Sequence, residues 1–351
     1  MPRLFLETER MANINSGLGQ VCLHLGHELV RQRPPGWEIT FLVPHDQVGV
    51  FGPSVQYITA TRLSRVWHPW KFDVWHSLYQ GTRYMPMRKS RFIYTILDLN
   101  YLSLTEIGAD RKQRQKKRYQ HAIDKAKVIT TISEYVARDV SEQLVVPPDT
   151  PLKAIYCGVN TPDAVPSASP SVCPDGPFLF FIGMIQPYKN IHTMLPLLEA
   201  FPAYQLVVAG PNNRPYGREM RQEAERMGVS DRLLMPGPID EATKWWLYAN
   251  CDAFLFPSLM EGFGLPVVEA MRFGKPVFSS SLTSLPEVGG PDAFYFPSFE
   301  PETVIDTFRK GMDVYRQDPA MADRFRQYSQ RFRWDTVAAD YWTLYQDVAL
   351  R

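Results

Sequence analysis

The sequence predicts an α/β protein with two doubly wound parallel sheets, each in its own domain. Short uninterrupted apolar runs, such as Phe178–Ile182 and Ala253–Phe256, are typical of strands buried on both faces of a parallel sheet. Several of these runs lead through a glycine loop into a helix-like stretch, which is the pattern of a βαβ unit. Two such series are separated by a Pro-, Ser- and Ala-rich stretch at residues 161–177, and 351 residues suffice for two cores.

In the first half we expect strands at residues 3–7, 39–43, 74–76, 92–97, 128–132 and 152–156. The loop after the first strand contains Gly17 and Gly19 and precedes a helix that should end at Arg33. A glycine loop before a helix suits a phosphate, but a lone G-x-G pattern indicates a simple turn equally well. Ser133 is well placed to cap the helix that follows the fifth strand.

In the second half we expect strands at residues 178–182, 205–209, 233–235, 253–256 and 277–278. The first of them leads through Gly183 to Lys189, which we expect at the start of a helix. A lysine there could neutralise a diphosphate, or it could be an ordinary surface lysine. Arg214 follows the next strand, and it is either a second phosphate ligand or a plain loop charge.

The most informative stretch is the loop and helix after the strand 253–256. Gly262 and Gly264 form a loop whose amides and following helix N-terminus favour an anion. Glu261 and Glu269 lie on either side of that position. Carboxylates repel phosphate but accept hydrogen bonds from sugar and ribose hydroxyls, so the unit predicts a nucleotide-sugar as ligand. The alternative is an ordinary α/β unit with a solvated Glu261 and a Glu269 favoured by the helix dipole.

Residues 261–269, Glu-Gly-Phe-Gly-Leu-Pro-Val-Val-Glu, resemble the E-x7-E motif of family 4 retaining glycosyltransferases, and residues 284–290 resemble the segment that follows it. The resemblance implies the GT-B fold, in which two Rossmann-like domains face a central cleft. It also implies that Glu269 holds the donor ribose, whereas Glu261 and the loop amides contact the donor sugar and diphosphate. The donor-binding residues implied in this way are Gly17, Gly19, Gly183, Lys189, Arg214, Glu261, Gly262, Phe263, Gly264, Leu265 and Glu269.

The chain departs from the family pattern near Asp98. Many members carry a histidine that contacts the donor sugar where this chain has Leu97. His76, with Gln80 beside it, is a candidate replacement, but a buried structural histidine is an equal alternative. The arginine that many members carry shortly before the lysine is also missing, so Arg214 is left as a possible substitute. The catalytic candidates are Lys189, Glu261, Asp98 and His76.

The resemblance divides the chain into three parts. Residues 1–166 are expected to form the acceptor domain and residues 167–330 the donor domain. Residues 331–351 should form a terminal helix that crosses back to the first domain. The division is placed in the Pro-rich stretch because such composition is typical of a linker.

The composition indicates in which compartment the protein works and whether it binds a metal ion. Four widely spaced cysteines indicate reduced thiols in the cytoplasm. The first ten residues contain too few apolar residues for us to expect a signal peptide, and no apolar run approaches membrane-spanning length. The sequence contains neither a D-x-D motif nor a His/Cys cluster, so we expect no metal. We expect no cofactor beyond the nucleotide-diphosphate sugar substrate, with a GDP-sugar favoured over a UDP-sugar.

A basic run at residues 111–118 stands out in the first half, where 21 Lys and Arg face 15 Asp and Glu up to residue 166. It could be a solvated helix face, or it could attract an anionic membrane surface. No aromatic or base-reading pattern supports nucleic acid. In the same half, Trp67, Trp70, Phe72 and Trp75 are either interfacial or core residues. The membrane interpretation involves Arg111, Lys112, Arg114, Lys116, Lys117 and Arg118.

We therefore expect a metal-independent retaining glycosyltransferase that moves a hexose, with mannose favoured, from a nucleotide-sugar. The acceptors that are common in this family suggest a growing surface polysaccharide, a lipopolysaccharide or a lipid-linked acceptor. They also suggest a cytoplasmic protein that is peripheral at the inner face of the membrane. Two alternatives remain open. One is a non-catalytic partner subunit that binds nucleotide-sugar, which Leu97 keeps plausible. The other is an acceptor-independent hydrolase or epimerase of the same fold.

Overall fold

The computed structural model describes residues 1–14, 16–65, 68–87, 90–160, 162, 174–212 and 215–350. The chain forms two compact units. The first contains residues 1–158 and the segment from Phe332 onward, and the second contains residues 159–331. The sequence-based division after residue 166 falls in a stretch of which residues 161 and 163–173 lie outside the described part.

The first unit is built on a seven-stranded parallel sheet with the order β3-β2-β1-β4-β5-β6-β7. Buried apolar residues fill most of these strands because helices cover both faces of such a sheet. The strands, numbered along the chain, are β1 Arg3–Glu7, β2 Glu38–Val43, β3 Gln56–Thr59, β4 Val74–Ser77, β5 Arg91–Ile96, β6 Val128–Thr131 and β7 Leu152–Ala154.

The second unit is built on a six-stranded parallel sheet with the order β10-β9-β8-β11-β12-β13. The strands are β8 Phe178–Ile182, β9 Gln205–Ala209, β10 Leu233–Gly237, β11 Ala253–Phe256, β12 Val277–Ser280 and β13 Phe294–Phe296. Two doubly wound parallel sheets in separate units are the architecture that the sequence predicted.

Each sheet has a topological switch point, where the chain turns from building one half of the sheet to building the other. In the first unit β1 lies between β2 and β4, and in the second β8 lies between β9 and β11. Loops at the carboxyl ends of the two strands beside such a point diverge and leave a crevice, which is where open α/β sheets bind ligands. The loops after β1, β4, β8 and β11 are therefore the expected locations of functional residues.

The helices are also numbered along the chain. Those of the first unit are α1 Gly17–Arg31, α2 Asn100–Ser103, α3 Ala109–Ile123, α4 Glu134–Gln143 and α12 Trp334–Leu350. Those of the second unit are α5 Leu195–Ala200, α6 Pro215–Arg226, α7 Glu241–Asn250, α8 Leu265–Arg272, α9 Leu285–Gly289, α10 Pro301–Gln317 and α11 Met321–Ser329. None of the described helices is both long and apolar enough to cross a membrane.

The terminal helix α12 packs within the first unit through buried aromatic side chains. The Trp342 indole nitrogen donates to the Leu29 carbonyl of α1 at 3.0 Å, and Tyr345 is fully buried. Phe72 and Trp75 lie in the same unit's core, where both pack against Phe5. These two aromatics are therefore core residues rather than interfacial ones, whereas Trp67 lies outside the described residues.

Two helix boundaries differ from the predictions. Helix α1 ends at Arg31 rather than Arg33. Lys189 does not begin a regular helix: it ends a single 3-10 turn, Pro187–Lys189, and α5 begins only at Leu195. Proline is tolerated in the first turn of a helix but not in its interior, so Pro196 prevents α5 from starting much earlier.

Candidate functional site

The switch point of the second sheet brings together two loops that are far apart in the sequence. The loop after β8 carries Lys189, and the loop after β11 carries Glu261. The Leu259 amide donates to the Tyr188 carbonyl at 2.7 Å, which fastens the second loop to the first. The two loops thus form one structural element at the position where this class of sheet binds ligands.

Lys189 and Glu261 form an ion pair between these loops. The Lys189 Nζ contacts Glu261 Oε1, and the two side chains are only 10% and 14% exposed. The ammonium group also lies 5.2 Å from the ring centres of both Tyr188 and Phe256. A lysine held in this way is not an ordinary surface lysine, because the chain has buried most of it beside an acidic partner.

Side-chain hydrogen bonds hold the acidic loop in place. The buried Ser284 hydroxyl donates to the carbonyls of Glu261 and Phe263, both at 3.0 Å, and the Glu261 amide donates to Thr283 Oγ1 at 3.3 Å. Ser284 belongs to the 284–290 segment that the sequence singled out. Its role in the structure is to fix the backbone beside Glu261.

The backbone conformation of this loop explains why it contains glycine. Gly264 has a φ of +105°, which side chains rarely adopt, and a Cβ there would lie 2.8 Å from Leu285. Gly262 and the ring of Phe263 are buried, and Leu265 is the first residue of α8. Because Gly264 precedes α8 without a capping side chain, the first-turn amides are not capped by their N-cap residue.

Glu269 lies in α8 and has partners of its own. Its Oε2 accepts a hydrogen bond from the Tyr248 hydroxyl at 2.7 Å, and its Oε1 lies 3.5 Å from the Lys244 ammonium. Burial and the nearby Glu269 charge raise the pKa of Tyr248, so the phenol stays protonated and donates. Sequence reasoning missed Tyr248 and Lys244, which a helical pattern over 241–250 places on one face of α7, four residues apart.

Gly183 lies beside Lys189 at the end of β8. Its amide donates to the Ala209 carbonyl at 3.0 Å, so this amide serves the sheet. A Cβ on Gly183 would approach the Phe181 ring to 3.3 Å and the Lys189 side chain to 3.9 Å. Glycine therefore keeps space beside the lysine. Arg214, the other predicted phosphate ligand of this unit, lies outside the described residues.

In the first unit, Gly17 and Gly19 begin α1. Ser16 caps the helix, with its hydroxyl oxygen accepting from the Gly19 amide at 3.0 Å. A Cβ on Gly19 would lie 2.2 Å from the Asn13 carbonyl oxygen. Close packing of the preceding turn against the helix thus requires Gly19 whether or not a ligand binds here.

His76 has a structural role in the first unit. It is fully buried, and hydrogen bonds of 2.7 Å join its Nδ1 to the Tyr345 hydroxyl and its Nε2 to Thr95 Oγ1. Burial lowers the pKa of His76 to about 3, so the ring is neutral. This geometry removes His76 from the candidates for contacting a donor sugar, because both ring nitrogens are occupied inside the core.

Gln80 and Asp98, which were predicted together with His76, also accept hydrogen bonds. The Gln80 Oε1 accepts from the Leu97 amide at 3.2 Å, and Leu97 is buried. The Asp98 carboxylate accepts from the Asn100 amide at 3.0 Å, which orders the turn into α2. Asp98 is half-buried and lies just beyond the carboxyl end of β5, which is the edge at which such a sheet binds ligands.

The basic run lies on α3, whose buried side is formed by Tyr119, Ala122 and Ile123. Of its six cationic residues, Lys112 is half-buried and the other five are exposed. The helix thus presents a charged face to solvent. Among the described residues, no group of three or more His, Cys, Asp or Glu side chains is arranged to hold a metal ion.

Known proteins resemble this chain both in sequence, over the second unit, and in fold. Residues 169–332, which contain Lys189, Glu261 and Glu269, match the family described as glycosyl transferases group 1. Sucrose-phosphate synthase from Thermosynechococcus elongatus superimposes with a TM-score of 0.77 at 18% identity, covering 99% of both chains. Anabaena Alr3699/HepE in complex with UDP-glucose superimposes with a TM-score of 0.74 at 15% identity, covering 99% and 100%. The chain therefore has the GT-B fold, and its second unit resembles glycosyl transferases group 1.

Two similar proteins come from Escherichia coli. O-antigen chain mannosyltransferase B is 28% identical over 231 residues, which are 61% of this chain and 59% of that protein. A serotype-specific mannosyltransferase WbdA is 34% identical over 236 residues, which are 61% of this chain and 28% of that protein. The chain thus spans less than two thirds of the length of either relative.

Proposed function

We propose that this protein transfers a hexose from a nucleotide-sugar to a carbohydrate acceptor, with retention of configuration and without a metal ion. The observation that carries the proposal is the buried Lys189–Glu261 pair at the switch point of the second sheet. It lies within the segment that matches the glycosyl transferase family, and Glu269 follows in the adjoining helix.

Each of these groups suits one part of a nucleotide-sugar. The Lys189 ammonium would bind the diphosphate as a point charge. Glu261 would then be released from the lysine and could accept hydrogen bonds from the sugar hydroxyls. Glu269, oriented by Tyr248, would accept hydrogen bonds from the ribose hydroxyls. The bound diphosphate takes the place of the Glu261 carboxylate, so the lysine is neutralised in both states.

The reaction needs little from the protein besides electrostatics. The bond between the anomeric carbon and the phosphate oxygen breaks, and a bond forms from that carbon to the acceptor oxygen. The acceptor proton passes to the departing phosphate oxygen. Lys189 stabilises the charge that develops on the diphosphate, and preorganised stabilisation of this kind usually contributes more to catalysis than any other single effect.

Mannose is the sugar we favour, with GDP as the nucleotide, no further cofactor, and a surface polysaccharide, lipopolysaccharide or lipid-linked glycan as acceptor. The support comes from the names of two relatives, both mannosyltransferases and one acting on an O-antigen chain. The exposed basic face of α3 would hold the protein at an anionic membrane surface on the cytoplasmic side.

The test is nucleotide release from a panel of GDP-, UDP- and dTDP-sugars in the presence of EDTA, with and without a mannose-terminated oligosaccharide. We expect release from one donor that increases when the oligosaccharide is added. Release that does not depend on any acceptor would indicate a hydrolase or epimerase. Tight nucleotide-sugar binding without release under all conditions would identify a binding subunit and overturn the proposal.

Substitutions of the site residues test whether these residues are responsible for that activity. Glu269→Gln should abolish donor binding, and Lys189→Ala should lower turnover. Glu241→Gln is a matched control, because Glu241 also pairs with Lys244, at 2.9 Å, but its side chain is 67% exposed. Normal donor binding in the Glu269 variant would contradict the assigned site.

A further inference from the structure

We infer that the first unit contains a separate site for a phosphate group carried by a hydroxylated ligand, such as a hexose phosphate. The site is a cavity of about 240 Å³ lined by Glu7, Glu9, Arg10, Arg65, Tyr79, Gly81 and Arg83. The inference rests on the proposed function only in naming this ligand as part of the acceptor.

The cavity lies at the switch point of the first sheet. Glu7 ends β1, and Arg10 belongs to the 3-10 turn Glu9–Asn13 that follows it. Tyr79 and Arg83 follow β4, the strand on the other side of the switch point. This is the crevice in which an open α/β sheet binds its ligand, and none of the donor contacts proposed above uses it.

A second cavity of about 430 Å³ adjoins the first, because Arg65 and Arg83 line both. Its lining also includes Gln80, Thr82 and Met85, together with Lys117 and Arg118 of α3. The second volume by itself falls within the range of about 300–1,000 Å³ that is usual for small-molecule sites. A ligand that extends beyond its phosphate therefore has room.

The charges of the combined cavity favour an anion. Five cationic side chains, Arg10, Arg65, Arg83, Lys117 and Arg118, line it against the two carboxylates Glu7 and Glu9. Glu9 already pairs with Arg65. Burial raises the pKa of Glu7 to about 7, so that carboxyl group is only partly charged near neutrality. In the described part of the chain, Arg10 and Arg83 form no salt bridge, which leaves their charges for a ligand.

The local structure positions one of these arginines. The Arg10 guanidinium lies 3.9 Å from the centre of the Tyr79 ring, an arrangement that limits its movement. A Cβ on Gly81 would lie 2.4 Å from that ring, so glycine is needed for Tyr79 to fold over its own loop. Arginine is the residue best suited to bind phosphate through two parallel hydrogen bonds.

The two carboxyl groups define the rest of the ligand. Glu7 lines the cavity, is 4% exposed, and accepts a hydrogen bond from the Thr82 hydroxyl at 2.6 Å. A carboxylate beside three arginines would weaken the binding of a bare polyphosphate. It would instead accept a hydrogen bond from a hydroxyl next to the phosphate. Phosphate and hydroxyls together indicate a sugar phosphate.

The test is a calorimetric titration of the full-length protein with mannose 1-phosphate, and with mannose as the neutral control. We expect binding of the phosphate only. Repeating the titration with Lys189→Ala excludes the donor unit as the source. Arg83→Ala, which alters an exposed side chain, should weaken binding by about 10-fold or more, as expected for loss of a charge-assisted hydrogen bond. Arg83→Lys should restore part of it.

The matched control is Arg114→Ala, on the same helix as Lys117 and exposed, but not part of either described cavity lining. Affinity that is unchanged in both Arg83→Ala and Arg10→Ala would overturn the inference, as would absence of binding to the wild type. Equal losses in the Arg83 and Arg114 variants would also overturn it, because they would indicate diffuse charge rather than a site.

Phosphate could come from a soluble sugar phosphate or from a lipid-linked glycan, and vesicles separate the two. A glycosyl-phosphate lipid in phosphatidylcholine vesicles should bind in an Arg83-dependent way if lipid-linked glycans are the source. Binding only to phosphatidylglycerol vesicles, without mannose 1-phosphate binding, would make this a membrane surface and contradict the inference. Failure of this site would leave the transferase proposal standing, because nucleotide release with the neutral mannose-terminated oligosaccharide tests that proposal separately.

Discussion

Replacing Glu261 with glutamine should strengthen the binding of a free nucleoside diphosphate while it lowers sugar transfer. In the unliganded protein the Glu261 carboxylate pairs with the Lys189 ammonium, so an incoming diphosphate competes with that carboxylate. Glutamine keeps the size of the side chain but removes its charge. The Lys189→Ala variant should behave oppositely in binding, because it removes the group for which both anions compete.

The magnitudes follow from how buried the pair is. A hydrogen bond to a charged group contributes about 1.5–3 kcal/mol, so Lys189→Ala should weaken diphosphate binding by roughly 10- to 100-fold. Glu261→Gln should tighten it by about 10-fold, since one competing carboxylate is removed. Because both side chains are at most 14% exposed, loss of the Glu261 charge beside the Lys189 ammonium should also cost about 1–3 kcal/mol of stability.

The assay is calorimetric titration with the nucleoside diphosphate of the active donor, followed by turnover measurements with that donor. Thermal unfolding monitors the fold, with about 2–4 °C of Tm expected per kcal/mol in a domain of this size. Glu302→Gln, on the exposed start of α10, controls for a simple change in net charge. If Glu261→Gln weakened diphosphate binding as Lys189→Ala does, the carboxylate would be placing the lysine rather than competing for it, and the reasoning would fail.

Three further predictions concern single residues. Between pH 4.5 and about 7, Glu7 holds a proton in the folded protein that it has lost in the unfolded chain. The free energy of unfolding of the wild type should therefore fall by about 3 kcal/mol relative to that of Glu7→Gln as the pH rises through this interval. Urea unfolding at a series of pH values measures this difference. A pH-independent difference would refute the burial of this charge. Tyr248→Phe removes the hydrogen bond that orients Glu269 and should weaken donor binding by about 10-fold in a titration, with unchanged binding counting against that role. Gly19→Ala places a Cβ 2.2 Å from the Asn13 carbonyl and should cost about 1–3 kcal/mol in urea unfolding, and a neutral effect would show that the turn can move.

The sequence predicted the central strands well because a parallel strand covered on both faces must be apolar throughout. The bounds of β8, β9 and β11 follow directly from such runs. Edge elements were harder to predict. β13 has three residues and β3 is only half-buried, so neither shows a strong apolar pattern. The helix expected at Lys189 failed for a local reason, the proline at position 196.

Side-chain partners could not be read from spacing. Nothing near His76 in the sequence indicates that Tyr345, 269 residues later, occupies its Nδ1. Glu261 and Lys189 are 72 residues apart, and their contact can be expected only once β8 and β11 are known to be neighbours. The motif identifies candidates that are neighbours in sequence, but strand order determines which of them meet.

The charged side chains at the two switch points are arranged differently, and this difference affects which ligand each crevice can bind. In the second unit the cation at the switch point is already paired with Glu261, so a ligand gains from Lys189 only if it also gives the carboxylate a new partner, such as sugar hydroxyls. A bare phosphate offers none, and so the pair selects for a sugar attached to the phosphate. In the first unit Arg10 and Arg83 need not be released from a carboxylate, so a single phosphate can bind them. A nucleotide-sugar at the first kind of site and a phosphorylated acceptor at the second are therefore the ligands that the two charge arrangements favour.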